Sequence, residues 1–150
     1  HFGIELSYKL NNILSVAGSY SEGRTDVNSD QLSVFKDFDN IKSREYAVGM
    51  FADLGNSQLG FVYSEPMRVV SGSATIDVPV ARATTGEVIR DSQQVSLTPS
   101  GKEVDLELFM NHDLKNDASI SANFIRRMEP NHVRNAADED IIIFKYRKRF

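Results

Sequence analysis

Three carboxylates spaced two residues apart form the densest group of reactive side chains in the sequence. Glu103, Asp105 and Glu107 alternate with apolar residues, so in a β-strand all three project from one face. One interpretation is a solvated row in the lumen of a barrel, and the other is a cation site or charge filter in a pore. Because three unpaired carboxylates would repel one another, we expect basic partners on neighbouring strands. The candidates are Lys9, Arg126 and Lys145.

The histidines do not belong to a recognisable catalytic motif. They are His1, His112 and His132, and no Gly-x-Ser-x-Gly sequence accompanies them. A serine peptidase needs Ser, His and Asp within hydrogen-bond reach. The chain has no cysteine, so it offers neither thiolate metal ligands nor disulfides. We therefore expect no catalytic residue, no metal site and no cofactor in this segment.

Composition limits the class of protein without deciding it. The chain has 150 residues, the length of one domain, and 41% of them are hydrophobic. This suits a soluble protein, and it also suits a transmembrane barrel, where only every second residue of a strand faces lipid. There is no run of 18 apolar residues, so we expect no membrane helix. The net charge of −4 gives no electrostatic footprint for nucleic acid.

Apolar and polar residues alternate with a period of two along most of the chain, which predicts seven strands. Each predicted strand has roughly 8 to 11 residues, the length that a tilted strand needs to cross a bilayer. The strands are predicted at 2–10, 14–20, 45–53, 58–64, 102–111, 118–125 and from Ile142 to Phe150.

The connections between these strands alternate in length, as in outer-membrane barrels with short periplasmic turns and long outer loops. Short connections are expected at 11–12, 54–57 and 113–117, and long ones at 22–43, 66–100 and 127–139. Within the long ones, segments 73–80 and 88–97 predict a hairpin above the membrane. Residues 31–41 predict one or two helical turns. Pro66, Pro79 and Pro99 are expected at sheet edges or strand ends.

The tyrosines favour a barrel over a soluble sandwich, which would show the same alternation. All five, Tyr8, Tyr20, Tyr46, Tyr63 and Tyr146, fall on the predicted apolar faces. Three lie at the loop ends of their strands and two nearer the turn ends, which predicts the two aromatic girdles of a membrane barrel. The opposite face is rich in Ser, Gly, Ala and carboxylates, which suits a barrel interior.

This topology places the charged clusters at the two membrane surfaces. Arg147 to Arg149 are expected at the periplasmic headgroups. Arg126 and Arg127 are expected near the outer rim, where anionic lipopolysaccharide is available. The acidic run Asp138 to Asp140 is either a loop that faces water or a site that binds calcium or bridges to lipopolysaccharide.

The end of the chain resembles the C-terminal signature of bacterial outer-membrane proteins. Those proteins end on an aromatic residue that follows apolar residues at every second position, and the barrel-assembly machinery reads this strand. Ile142, Phe144, Tyr146 and Phe150 fit the signature, whereas Lys148 departs from it.

Two internal segments resemble the C-terminal barrel of autotransporter-like serine peptidases of the subtilisin family. Residues 59–74 read LGFVYSEPMRVVSGSA, where that family has S-x-P-L-R-V-x-S-G-x-A. Residues 95–108 read VSLTPSGKEVDLEL, where it has L-x-P-S-G-R-E-x-D-L-E-L. The resemblance implies a barrel, usually of twelve strands, that carries an N-terminal protease domain. Residues 1–150 would then hold about the last seven strands of that barrel, without its N-terminal strands and passenger.

We therefore expect an all-β, antiparallel transmembrane barrel segment, open or partial, in the bacterial outer membrane with its C-terminus in the periplasm. Its function would be to anchor or translocate a covalent N-terminal passenger. Its partners would be outer-membrane lipid, lipopolysaccharide and the barrel-assembly machinery, but not nucleic acid. Two alternatives remain open: a stand-alone porin-like barrel, and a soluble antiparallel β-sandwich that binds a ligand or partner.

Overall fold

The computed structural model describes residues 1–27, 35–114 and 117–149. Within these residues the chain forms strands and one short 3₁₀ helix, Pro130–His132. The ten described strands are β1 (Phe2–Lys9), β2 (Leu14–Thr25), β3 (Phe35–Phe38), β4 (Ile41–Asp53), β5 (Ser57–Ser71), β6 (Ser73–Arg82), β7 (Val88–Ser96), β8 (Val104–Leu114), β9 (Ala118–Met128) and β10 (Glu139–Lys148).

Seven of these strands form one antiparallel sheet in the order β1-β2-β4-β5-β8-β9-β10. They correspond to the seven strands predicted from the alternation, so the all-β antiparallel prediction is confirmed. Several are longer than predicted, since β4 has 13 residues and β5 has 15. The connections β1–β2, β4–β5 and β8–β9 lie at one end of the sheet, called the turn end. The longer connections lie at the opposite end, called the loop end.

A second sheet of three strands, in the order β3-β6-β7, is formed by segments of the loop-end connections. The predicted hairpin is confirmed as β6 and β7. The helical turns predicted at 31–41 are wrong for Phe35–Phe38, which is β3 and pairs with β6. The pairing replaces local helical hydrogen bonds with bonds to a strand almost 40 residues away in the chain, a contact that local periodicity does not reveal. Residues 31–34 lie outside the described residues.

The prolines follow the prediction in part. Pro99 lies in the connection after β7, as expected. Pro66 and Pro79 lie inside β5 and β6, where the register against the neighbouring strand shifts. A bulge tolerates proline because the missing N–H is not needed by the hydrogen-bond ladder there.

The large sheet is open, as the expectation of an open or partial barrel segment allows, and no closed barrel is found among the described residues. In the described part of the chain, β1 pairs only with β2, and β10 pairs only with β9. With seven antiparallel strands, the two edge strands run in the same direction, from the loop end to the turn end. They therefore cannot pair with each other in the antiparallel manner of a closed barrel.

The described residues lack an ordinary hydrophobic core. The only apolar side chains among them that are buried belong to Ala74, Ala118 and Pro130. The accessible surface is 10933 Å², whereas a compact protein of 16.8 kDa exposes about 7,600 Å².

Candidate membrane-facing surface and polar cluster

One face of the large sheet carries a continuous apolar belt. A single row of cross-strand partners crosses all seven strands, and every position in it is apolar. The row consists of Tyr8, Val16, Met50, Phe61, Leu108, Phe124 and Ile142. Exposure in this row ranges from 39% at Phe124 to 68% at Tyr8, with Val16 half-buried. No element in the described ranges covers the apolar belt.

The opposite face is built mainly from small and charged residues. A row that also crosses all seven strands consists of Glu5, Ser19, Ala47, Ser64, Asp105, Arg127 and Glu139. Two glycines on this face, Gly49 and Gly60, leave room for the rings of Phe51 and Phe109, whose centroids are 6.0 Å apart. The pattern weakens towards β10, where isoleucines also occupy this face.

The tyrosines lie on the apolar face, but β2, β4 and β5 extend past the predicted ends, so Tyr20 and Tyr46 lie five residues and Tyr63 eight residues from the loop ends of their strands. Tyr20 is the direct cross-strand partner of Tyr46, and the ring of Tyr63 lies 6.0 Å from that of Tyr46. Tyr8 lies one residue before the turn end of β1, and Tyr146 lies two residues before that of β10. The five side chains thus occupy two levels of the sheet.

The hydroxyls of the three loop-end tyrosines all donate to carboxylates. Tyr20 donates to Glu22 over 3.1 Å and Tyr63 donates to Glu65 over 3.0 Å. Tyr46 also donates to Glu65. Each ring therefore remains on the apolar face while its polar end reaches towards the loops, as aromatic side chains do at an apolar–water boundary.

Glu65 is the centre of a buried polar cluster that the sequence reasoning missed. Its side chain is 4% exposed, and it accepts hydrogen bonds from Tyr46 and Tyr63 and an ion pair from Lys102. The sequence did contain one signal of this cluster, because the alternation in β5 places the acid Glu65 on the apolar face. Its partner Lys102, however, lies 37 positions away in the chain. The cluster joins the two segments that carry the family resemblance, 59–74 and 95–108.

The three candidate carboxylates are brought to one region of the polar face and do find a basic partner, but none of the three candidates is that partner. The Nε atom of Arg127 lies 3.1 Å from Glu103 and 3.4 Å from Asp105, at angles that make ion pairs without an aligned hydrogen bond. Glu107 instead accepts a hydrogen bond from the amide of Asn123. The strand register explains this pairing, because Arg127 on β9 is the direct cross-strand partner of Asp105 on β8.

The loop-end connections are fastened together by a second acid, in an arrangement called the Glu129 clamp. Glu129 accepts the backbone N–H of Lys102 over 2.7 Å and that of Asn135 over 3.4 Å. These backbone hydrogen bonds lower the pKa of Glu129. The Nδ1 atom of His132 accepts the backbone N–H of Glu103 over 3.0 Å. Gly101 passes so close that an added Cβ would lie 2.5 Å from the backbone nitrogen of Arg134.

The segment that supplies this clamp has an unusual backbone. Glu129, Asn131, His132 and Asn135 all have positive φ values, between 48° and 59°. Such conformations are uncommon for residues with a Cβ and persist only where surrounding contacts enforce them. The hydrogen bonds of the clamp supply those contacts.

The acidic run Asp138 to Asp140, which leads into β10, pairs with the two arginines of β9. Arg126 lies 2.9 Å from Asp138 and 3.8 Å from Asp140, and Arg127 lies 3.4 Å from Glu139. Within the described ranges, no group of three or more His, Cys, Asp or Glu side chains is arranged to hold a metal ion.

The structure describes three of the four residues of the C-terminal signature, and it describes His112. Ile142, Phe144 and Tyr146 share one face of the edge strand β10 and are 64%, 77% and 63% exposed. Phe150 lies outside the described residues. His112 lies 2.7 Å from the hydroxyl of Ser57, its cross-strand partner near the turn end.

No helix in the part of the chain that the structure describes is long and apolar enough to cross a membrane. Comparison with models of protein families, with curated proteins and with solved structures finds no match for this chain.

Proposed function

We propose that the chain is part of an outer-membrane β-barrel that anchors or exports a passenger domain fused to its N-terminal side. The observation that carries the proposal is the apolar belt, which crosses all seven strands of the sheet and is exposed on every strand except β2, where it is half-buried. A water-soluble sheet covers such a face with a second layer. A barrel strand instead turns it towards lipid and keeps the small and charged residues inside.

The direction of the edge strands supports closure by further strands of the same polypeptide. Because β1 and β10 run in the same direction, an antiparallel barrel closes only with an odd number of additional strands. A second copy inserted in the same orientation presents edges that run in that same direction, so two copies cannot complete each other. Strands placed ahead of β1 in the chain satisfy this requirement.

The resemblance of residues 59–74 and 95–108 to subtilisin-family autotransporters supports a serine protease as the passenger. In this proposal the chain's own residues fold and hold the barrel, and the peptidase chemistry belongs to the passenger. A stand-alone porin-like barrel would share the apolar belt but would have no passenger domain.

The proposal is tested by locating the complete gene product in a Gram-negative host. We expect it in the outer-membrane fraction, with a gel band whose mobility changes on boiling and which is lost when residues 1–150 are deleted. A protein that stays in the soluble fraction with no mobility shift would contradict the proposal and favour the soluble sandwich. A heat-modifiable band from a gene that encodes no domain ahead of the barrel would favour the porin-like alternative.

A further inference from the structure

A cavity of about 400 Å³ lies at the loop end beside the Glu129 clamp. Its charged lining comprises Arg68, Lys102, Arg134 and Glu129, and Val70 and Pro99 contribute apolar wall. Three cations therefore face one anion. The cavity draws on the end of β5 and on the β7–β8 and β9–β10 connections, and the clamp holds these two connections together.

The three cationic side chains of this cavity differ in the partners that the protein supplies to them. Lys102 pairs with Glu65. Arg134 donates its Nε–H to the carbonyl oxygen of Ser100 over 3.0 Å. Both oxygens of Glu129 are engaged by backbone amides. Arg68 has no ion pair with any acid among the described residues, so its guanidinium is available to an anion.

A second arginine lies beside Arg68 and increases the demand for a negative charge. Arg44 on β4 has two direct cross-strand partners, Arg68 on β5 and Glu22 on β2. Glu22 pairs with Arg24, and no acid within the described ranges forms an ion pair with Arg44. Like charges placed directly opposite each other destabilise a sheet. An anion held between or beside them would remove that cost.

We propose that this cavity binds a phosphate group of an anionic lipid headgroup at the outer rim of the apolar face. The proposal rests on the proposed function, because it needs the sheet to lie in a membrane. By register Arg44 shares a strand face with Tyr46, two residues away, so the arginines lie directly above the loop-end tyrosines. A lipid headgroup occupies that height, and the planar guanidinium binds phosphate through two parallel hydrogen bonds.

This assignment moves the anion site away from the residues that the sequence favoured for lipopolysaccharide. Arg126 is neutralised by Asp138 and Asp140, and Arg127 by Glu103, Asp105 and Glu139. Arg68 and Arg44 had no role in the sequence reasoning because their juxtaposition depends on the bulged register of β4 and β5.

The test titrates the complete gene product, purified in a phosphate-free neutral detergent, with fluorescent diphosphorylated lipid A. Arg68→Gln and Arg134→Gln are each expected to weaken binding about tenfold, the loss typical of a charge-assisted hydrogen-bond pair. Arg90→Gln, which removes the same charge from exposed β7, is the matched control and should change binding less than twofold. Unmodified protein should bind dephosphorylated lipid A at least tenfold more weakly, a comparison that requires no variant to fold.

Four outcomes would count against the site. Equal losses of lipid A affinity in all three variants would indicate diffuse electrostatic attraction and not a defined site. Equal binding of phosphorylated and dephosphorylated lipid A would show that the cavity does not recognise the phosphate. Displacement by inorganic phosphate as readily as by lipid A would assign the cavity to free phosphate. A membrane-inserted, heat-modifiable protein with any of these results refutes the lipid site alone, whereas a protein absent from the outer-membrane fraction refutes both proposals.

Discussion

Glu129 connects two backbone segments that come together only at the loop end, through the amides of Lys102 and Asn135. Since these bonds favour the carboxylate, they hold its pKa below the usual 4.5. A lowered pKa means that the ionised group stabilises the fold above about pH 4.5 and that this contribution is lost as the pH falls through the lowered value. We expect the Lys102 amide to be protected from hydrogen exchange at pH 7 and to lose protection at a pH well below 4.5.

Glu129→Gln is the control for this pH effect, since its amide side chain does not titrate. With rates corrected for intrinsic exchange, the variant should show weak protection of the Lys102 amide at both pH values. If the variant and the unmodified protein lost protection in parallel on acidification, the clamp would not depend on the charge of Glu129.

Gly101 is needed for a different reason, namely space. A Cβ at this position would lie 2.5 Å from the nitrogen of Arg134 and 2.7 Å from the carbonyl carbon of Val133, both backbone atoms. Gly101→Ala should therefore destabilise the loop end by about 1–3 kcal/mol, the usual cost of overpacking. The measurement is the temperature at which the folded gel band disappears. Gly18→Ala, whose Cβ would have its nearest neighbour at 3.6 Å, should leave that temperature almost unchanged.

The partner of the carboxylate row shows how far sequence reasoning reaches for single residues. The alternation in β9 places Phe124 on the apolar face, so Arg126 shares that face and Arg127 takes the other. Parity alone therefore pointed to Arg127, even though the prediction named Arg126. The Glu129 clamp was beyond prediction, because it needs the positive φ values of 129–135, and those depend on contacts with Gly101 and Lys102.

At the scale of strands and turns, the seven strands of the large sheet were predictable because each has one apolar and one polar face, which leaves a period of two in the sequence. β3 was not, since Phe35 and Phe38 are spaced by three, as on a helix face, and their rings stack 5.7 Å apart in an irregular four-residue strand. The extra length of β4 and β5 also lacks a local signal. It comes from pairing beyond the bulge at Pro66.

The apolar belt yields a prediction that separates lipid from water. Leu108 is 57% exposed in the isolated sheet, so in water Leu108→Lys should cost almost nothing. In a bilayer, lysine at the middle of the lipid-facing surface costs about 2–4 kcal/mol. We expect Leu108→Lys to deplete the heat-modifiable band strongly in the outer-membrane fraction.

Asn111→Lys on the same strand is the matched control, because Asn111 has the parity of the polar face and its two cross-strand partners, Gln58 and Ser121, are uncharged. Its band should remain close to that of the unmodified protein. Equal behaviour of the two lysine variants would mean that the two faces meet the same solvent, and the membrane interpretation of the apolar belt would be wrong.

At the scale of the whole molecule, two observations agree. The surface exceeds that of a compact protein of this size by roughly 3,000 Å². The two edge strands of the large sheet run in the same direction and are unpaired on their outer sides among the described residues. Both observations support the proposal that further strands complete the sheet in a membrane, because its apolar face lacks a covering layer among the described residues. The alternating connection lengths add an orientation. In the proposed barrel, the loop end faces the outside and the turn end faces the periplasm.

This orientation is testable because residues 1–150 contain no cysteine, so a single introduced thiol is labelled without background from this segment. Thr85→Cys lies in the exposed turn between β6 and β7, and Asn12→Cys lies in the exposed connection between β1 and β2. A membrane-impermeant maleimide should label Thr85→Cys in intact cells, and Asn12→Cys only after the outer membrane is permeabilised. Labelling of Asn12→Cys alone in intact cells would invert the orientation. Equal labelling of both thiols in intact cells would show that the sheet does not separate two compartments, since only a membrane-spanning sheet keeps its two ends on opposite sides of a barrier.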